Sequence, residues 1–221
     1  MKLQHLRRNA GIVTAALALS VSLAACSEED EPKSSGSDDT SSETSDAMAD
    51  GASAQTFGDG CASVPTSGAG SFDGMVKDPV ATAASNNPLL STLVTAVTSI
   101  DGLADTLNGA EALTVFAPYN DAFAAIPEKD LNGLVEGGKK DGDKSALYGI
   151  LAHHVVGSNE DADAVAGEQT TLKGDMLTIE GDAESGMTVS DGTVTATVLC
   201  GNIPTANATV YVIDKVLTGV K

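Results

Sequence analysis

Hydrophobic positions along this chain change their spacing twice. An apolar run from Ala10 to Ala25 follows Lys2, Arg7 and Arg8. It is too short to cross a bilayer comfortably and reads as a signal peptide over residues 1–25. From Ser27 to about Thr56 large apolar side chains almost vanish, so residues 26–57 cannot bury enough surface to fold. From Asp78 the spacing becomes helical. Asp78-Pro79 opens a first helix, with the acid as N-cap and Pro at N1, until Asn86-Asn87-Pro88 interrupts it. Leu89, Leu90, Leu93, Val94 and Val97 share the face of a second, and Ile100, Leu103 and Leu107 mark another. Leu131, Leu134 and Val135 predict a short helix ended by Gly137-Gly138, and a polar loop runs from Lys139 to Asp143. Leu147, Ile150, Leu151 and His154 lie on one further helical face. From Gln169 the period is two, in short runs separated by Gly174, Gly181, Gly186, Asp191-Gly192 and Pro204, with Asp191-Gly192 a strong hairpin signal. The pattern is helices first and strands last, an α+β domain over residues 58–221.

Within the helical region stands Thr114-Val115-Phe116-Ala117-Pro118-Tyr119-Asn120-Asp121-Ala122-Phe123, a strand, a tight corner and a helix start. Val115 and Phe116 form a strand that Pro118 stops, and Asn120 or Asp121 can cap a helix carrying Phe123 and Ile126. With no Trp in the chain, Phe116, Tyr119, Phe123 and Tyr148 must anchor much of the core.

This block resembles the first signature of fasciclin (FAS1) domains, with Tyr119 where the family usually has Thr. Leu151 to Val156 resembles the family's Tyr-His block, with His153 in place of Tyr. Val210-Tyr211-Val212-Ile213-Asp214-Lys215-Val216-Leu217 resembles the second signature, with Thr218 where Pro often follows. Asp78 to Pro88 and Cys200 to Asp214 are similar in particular to the single-domain secreted antigens and surface lipoproteins of mycobacteria. The resemblance implies a FAS1 fold, a β-sandwich or bent-sheet wedge flanked by several short helices. It implies that His154 hydrogen-bonds within the domain, to Asn120 or Asp121. It also implies adhesion without catalysis.

The remaining chemistry concerns attachment. Leu23-Ala24-Ala25-Cys26 looks like a lipobox, which makes Cys26 the acylated first residue of the mature chain. Removing three positive charges and no acid then takes the formal charge from −19 to −22. So acidic a chain without Lys/Arg clusters has no means of holding a phosphate backbone, and anionic membrane surfaces repel it; the acyl chains are its membrane contact. Residues 26–57 read as a stalk with an r.m.s. reach of roughly 30 Å, either O-glycosylated or simply solvated. In an exported chain, Cys61 and Cys200 remain to form a disulfide, with two free thiols as the alternative.

No metal or cofactor is expected. His153 and His154 are adjacent and point apart, and Asp141-Gly142-Asp143 lacks the Gly and Glu of a calcium loop. No nucleophile elbow or phosphate loop occurs. Asn207-Ala208-Thr209 is formally a sequon. Animal matrix-adhesion relatives carry an Asp-Ile pair where this chain reads Asn202-Ile203, so integrin binding by that route is not expected. Asn202 and Ile203 remain a candidate contact surface. The expected partner is a surface protein, matrix or envelope component, met by a monomeric domain. The other functional class open to the sequence is an envelope carrier that takes a small apolar ligand or lipid between helices and sheet.

Overall fold

A computed structural model describes residues 51–219. The signal peptide, Cys26 and most of the stalk lie outside these residues. Within them the helical region comes first: α1 Phe72–Met75, α2 Val80–Asn86, α3 Ser91–Thr98 and α4 Leu103–Gly109. Strand β1 Leu113–Pro118 follows, then α5 Asn120–Ala124, α6 Glu128–Asp141 and α7 Ala146–His153. The rest is strand: β2 Val155–Val156, β3 Gly167–Thr170, β4 Met176–Asp182, β5 Gly186–Ser190, β6 Thr195–Pro204 and β7 Ala208–Ile213.

The strands make one seven-stranded sheet in the order β2-β1-β7-β6-β5-β4-β3. Its ends nearly meet, because Val156 beside β1 also bridges Thr171 just past β3. Of the two expected architectures the bent sheet is therefore the one formed. Its two faces are sorted by the strand period of two. On β7, Ala208, Val210 and Val212 join the core beneath the helices, whereas Tyr211 and Ile213 point into the interior of the bend with Phe116, Leu177, Val189 and Leu217. Phe116 and Tyr211 are wholly buried, with ring centroids 5.6 Å apart.

Strand β6 changes sides. A regular strand would keep positions 196, 198 and 200 on one face, yet Ala196 and Val198 belong to the interior core and Cys200 to the helix-side core. The cause is a register shift against β7 between Val198 and Cys200, followed by another between Cys200 and Ile203. Such bulges re-aim a side chain, and here Cys200 turns toward Cys61, forming the expected disulfide. In the second bulge Asn202 holds φ 57°, a left-handed conformation that Asn tolerates better than most residues. Gly201 is required beside it, since a Cβ there would run into the Phe57 ring.

Three local expectations are corrected. The folded unit begins before residue 58. Phe57 pairs with Gly201 through both backbone hydrogen bonds, the Asn202 amide donates to the Gln55 carbonyl at 3.0 Å, and Ala52 N–H donates to Asp73 at 3.1 Å. Helix α6 runs through Gly137-Gly138 to Asp141, leaving no long polar loop. A Cβ on Gly138 would sit 2.9 Å from Leu147 and Ser99 side-chain atoms, so this glycine permits close helix packing instead of ending the helix. Asp78 does not cap α2. Asn207 Oδ1 accepts from Val80 N–H at 2.9 Å, and Asn108 Oδ1 accepts from Ala81 N–H at 2.9 Å. Side chains distant in sequence thus satisfy the helix's first free donors. Asn207 Nδ2 donates to the carbonyls of Leu107 and Ala110 at 2.9 Å each, so the formal sequon is engaged within the folded domain.

Candidate functional site

The two signature blocks are neighbours in the sheet. β1 pairs parallel to β7 with Thr114 beside Thr209, Phe116 beside Tyr211 and Pro118 beside Ile213. Thr114, fully buried, donates its hydroxyl to Ser158 carbonyl at 2.7 Å and accepts from Glu160 N–H at 2.9 Å. It thereby ties the loop after β2 to β1. Beyond β7, Asp214 accepts from Thr197 N–H at 2.6 Å while its own N–H donates to Thr197 carbonyl at 3.1 Å, a two-way clamp on β6.

His154 stands at the end of α7, 3 % exposed. Its Nδ1 lies 2.7 Å from the Ile150 carbonyl, and its Nε2 accepts from Leu217 N–H at 3.0 Å. One bond needs Nδ1–H and the other a bare Nε2, so the ring is the neutral Nδ1–H tautomer. Burial pushes the imidazole down to about 4, against the Ile150 hydrogen bond that pulls it up. The expected intradomain hydrogen bonds are present, but their partners are not Asn120 or Asp121. The imidazole faces the C-terminal segment after β7, whereas α5 carries those two residues elsewhere.

Asn120 also leaves its own helix. Its Oδ1 accepts from Thr92 N–H at 3.0 Å and Ser91 hydroxyl at 3.1 Å, and its Nδ2 donates to Pro88 carbonyl at 2.8 Å. It therefore fastens the start of α3 to α5, and neither Asn120 nor Asp121 caps α5 by side chain. Asp121 is exposed in the first turn of α5, and Phe123 is buried beneath the helix layer. Ile203 is 1 % exposed and belongs to the core. It cannot form the contact surface considered for it, because the second bulge in β6 turns it inward; Asn202 alone of that pair reaches solvent, in part.

A cluster that the sequence pattern does not disclose surrounds His153. The ring is 1 % exposed, with Nδ1 3.2 Å from Asp175 Oδ2 and Nε2 3.7 Å from Asp191 Oδ2. Neither nitrogen meets hydrogen-bond geometry among the described residues, so the contacts are electrostatic. Asp191 is itself held by three backbone donors, Thr193, Val194 and Gly219, each at 2.7 Å. Burial raises its carboxyl, but the N–H groups of Val194, Gly219 and Thr193 outweigh that and hold it below the usual range. The hairpin residue Asp191 thus fixes Gly219 in the segment after β7 and faces the histidine from one side, with the β3–β4 turn on the other. Enclosed in this way, His153 cannot reach a substrate.

The sites assembled by the signature residues are all internal fastenings between sheet, helices and C-terminal segment. Such an arrangement holds a shape. The fasciclin domain model matches residues 88–219. The chain belongs to the fasciclin family. Fasciclin features thus extend over the signature strands and helices, and the described fold adds residues 51–87, which carry Cys61 and α2, ahead of the matched segment.

Among relatives, the chain is 44% identical over 182 residues to the cell surface glycolipoprotein MPB83 of Mycobacterium bovis, covering 79% of this chain and 76% of that protein. It is 41% identical over 174 residues to the immunogenic protein MPB70 of the same species, covering 75% of this chain and 83% of that protein. It is 38% identical over 138 residues to protein sll1483 of Synechocystis, covering 61% of this chain and 69% of that protein. A solved structure of a FAS1 domain pair from the insect cell adhesion molecule fasciclin I superposes with a TM-score of 0.46 at 22% identity, covering 59% of this chain and 44% of that one.

Proposed function

We propose that this fasciclin-domain protein is exported, acylated on Cys26 and displayed on the outer face of the cell membrane, where the domain mediates adhesion to other cells, matrix or envelope components. The observation that carries this reading is the kinship with a protein named a cell surface glycolipoprotein, combined with Leu23-Ala24-Ala25-Cys26 at the end of the apolar run. Small residues before the Cys suit a signal peptidase, and the thiol is the group that accepts the lipid. Physical chemistry supports a display role as well. The domain's signature residues are used to fix its shape, and a fixed surface loses less conformational entropy on binding than a loose one. The strongly acidic chain leaves nucleic acid without a docking surface.

Substituting Cys26→Ala tests the anchor. The wild-type chain is expected in the membrane fraction, released only by detergent, and the variant in the medium. Retention of the variant in the membrane fraction contradicts lipid attachment at this residue. Metabolic labelling with an alkynyl fatty acid separates the cases further, since label is expected on the wild type and not on the variant.

A further inference from the structure

Helices α2, α3, α4 and α7 do not close fully over β1 and β2. Between them lies a cavity of about 250 Å³. At roughly 30 Å³ for a water in the liquid, and about as much for a methylene, that is room for roughly eight methylene groups. Val94, Val97, Leu103, Leu107, Val115 and Leu151 are among its apolar wall residues, and no Asp, Glu, Lys or Arg lines it.

The polar atoms in the wall are nearly all engaged. The hydroxyls of Ser85, Thr98 and Thr106 donate to carbonyls of their own helices. Asn108 donates to Thr82, and both nitrogens of His154 are engaged with backbone groups. Tyr148 is the exception, a half-buried wall residue whose hydroxyl makes no hydrogen bond among the described residues. The rim is apolar too. Leu172 lines the cavity and is 55% exposed, and Met176, four residues on across the same β3–β4 turn, is 51% exposed; among the described residues these are the large hydrophobics left mostly in solvent.

We infer that this cavity binds the hydrocarbon chain of an uncharged single-chain lipid, with a hydroxyl or ester oxygen of the ligand meeting Tyr148. A wall with satisfied polar groups favours hydrocarbon, because it asks for no further hydrogen bonds and gains from every apolar contact. The head is uncharged because nothing cationic lines the cavity and the chain carries a formal charge of −19; a carboxylate would enter against that field. Leu172 forms an apolar lip over which a chain can pass from a lipid surface.

The test is calorimetric titration of the purified protein with straight-chain 1-alkanols of increasing length, with decanoate as the anionic counterpart. Saturable one-to-one binding is expected, tightening roughly fourfold per methylene until the chain outgrows the cavity at about eight carbons, and then levelling. Decanoate should bind more weakly than 1-decanol, with the gap narrowing as salt is added. Ala104→Phe, which fills the cavity from α4, should weaken 1-decanol at least tenfold. Tyr148→Phe should weaken it about fivefold, the worth of one hydrogen bond. Should Ala104→Phe fail to fold, Leu172→Ser decides, since that exposed rim residue can change without disturbing the core and is expected to reduce affinity. Absence of saturable 1-decanol binding, an affinity indifferent to chain length, or unchanged binding in folded Ala104→Phe or in Leu172→Ser would overturn the assignment. The titration needs no cell surface or receptor, so its result stands apart from the adhesion reading.

Discussion

Reducing the Cys61–Cys200 bridge is expected to lower the unfolding free energy by about 4 kcal/mol, within a chain-entropy limit of about 5 kcal/mol. The bridge spans a sequence separation of 139 residues, so opening it returns to the unfolded chain the freedom of most of the domain. Against the roughly 5–15 kcal/mol that holds an ordinary domain folded, this is the largest single contribution named here. The native state should change little at first, because Phe57 keeps its backbone pairing with Gly201 and Cys200 stays in the core. Urea unfolding with and without reductant measures the effect. A large fall in midpoint with reductant is expected, together with fast proteolysis near residues 51–64. Coincident curves, or two free thiols in the unfolded and unreduced protein, would exclude the bridge.

The second large effect is tied to pH through His154. Its folded pKa lies at about 4, below the ordinary 6.5 of the unfolded chain. Between these values the unfolded chain binds more protons than the folded one, so stability rises with pH across the window. The contribution is complete above about pH 6.5 and lost by about pH 4, and the full swing is about 3 kcal/mol. Protonation also removes the lone pair that accepts the Leu217 N–H, leaving that buried donor without its partner. Urea midpoints measured from pH 4 to 7 should fall toward acid, and His154→Ala should flatten that slope by about one proton. The variant should in addition be less stable by about 3 kcal/mol at pH 7, through the unmet Leu217 donor and the space left in the core. An unchanged pH slope in His154→Ala would remove His154 as its source. Asp191, held below the usual carboxylate range by Val194, Gly219 and Thr193 despite its burial, adds a separate loss at still lower pH.

Periodicity carried most of the architecture. The strand period of two in residues 208–213 sent one set of side chains toward the helices and the other into the bend, both buried, and Asp191-Gly192 marked the β5–β6 turn, with Gly192 at φ 81°. Periodicity failed where a long-range contact overrides a local rule. Gly137-Gly138 has the composition of a helix stop, but Gly138 is the close-packing point of α6 against Leu147 and Ser99. Asn120 and Asp78 occupy local capping positions, yet the caps that form come from Asn207, Asn108 and Asn120 acting on helices far away in sequence. The bulges that turn Cys200 toward Cys61 and Ile203 into the core leave no mark on the hydrophobic pattern, which shows only a strand-like run ahead of Pro204. The carboxylates around His153 arrive from two turns distant in the chain, and only the unusual His at a position where the family prefers Tyr hinted at a special environment. The cavity beneath α2–α4 has no sequence signal at all, since apolar residues facing empty space look like apolar residues facing one another.

Adhesion by the folded domain itself is measured most directly by attachment of beads coated with the mature chain to the producer's own cells and to a panel of matrix proteins. Beads carrying the same chain unfolded by reduction and heat serve as the reference. Saturable attachment by the native beads to at least one of these surfaces is expected, with its loss on unfolding. Equal attachment by native and unfolded chains, or none to any surface, would contradict it.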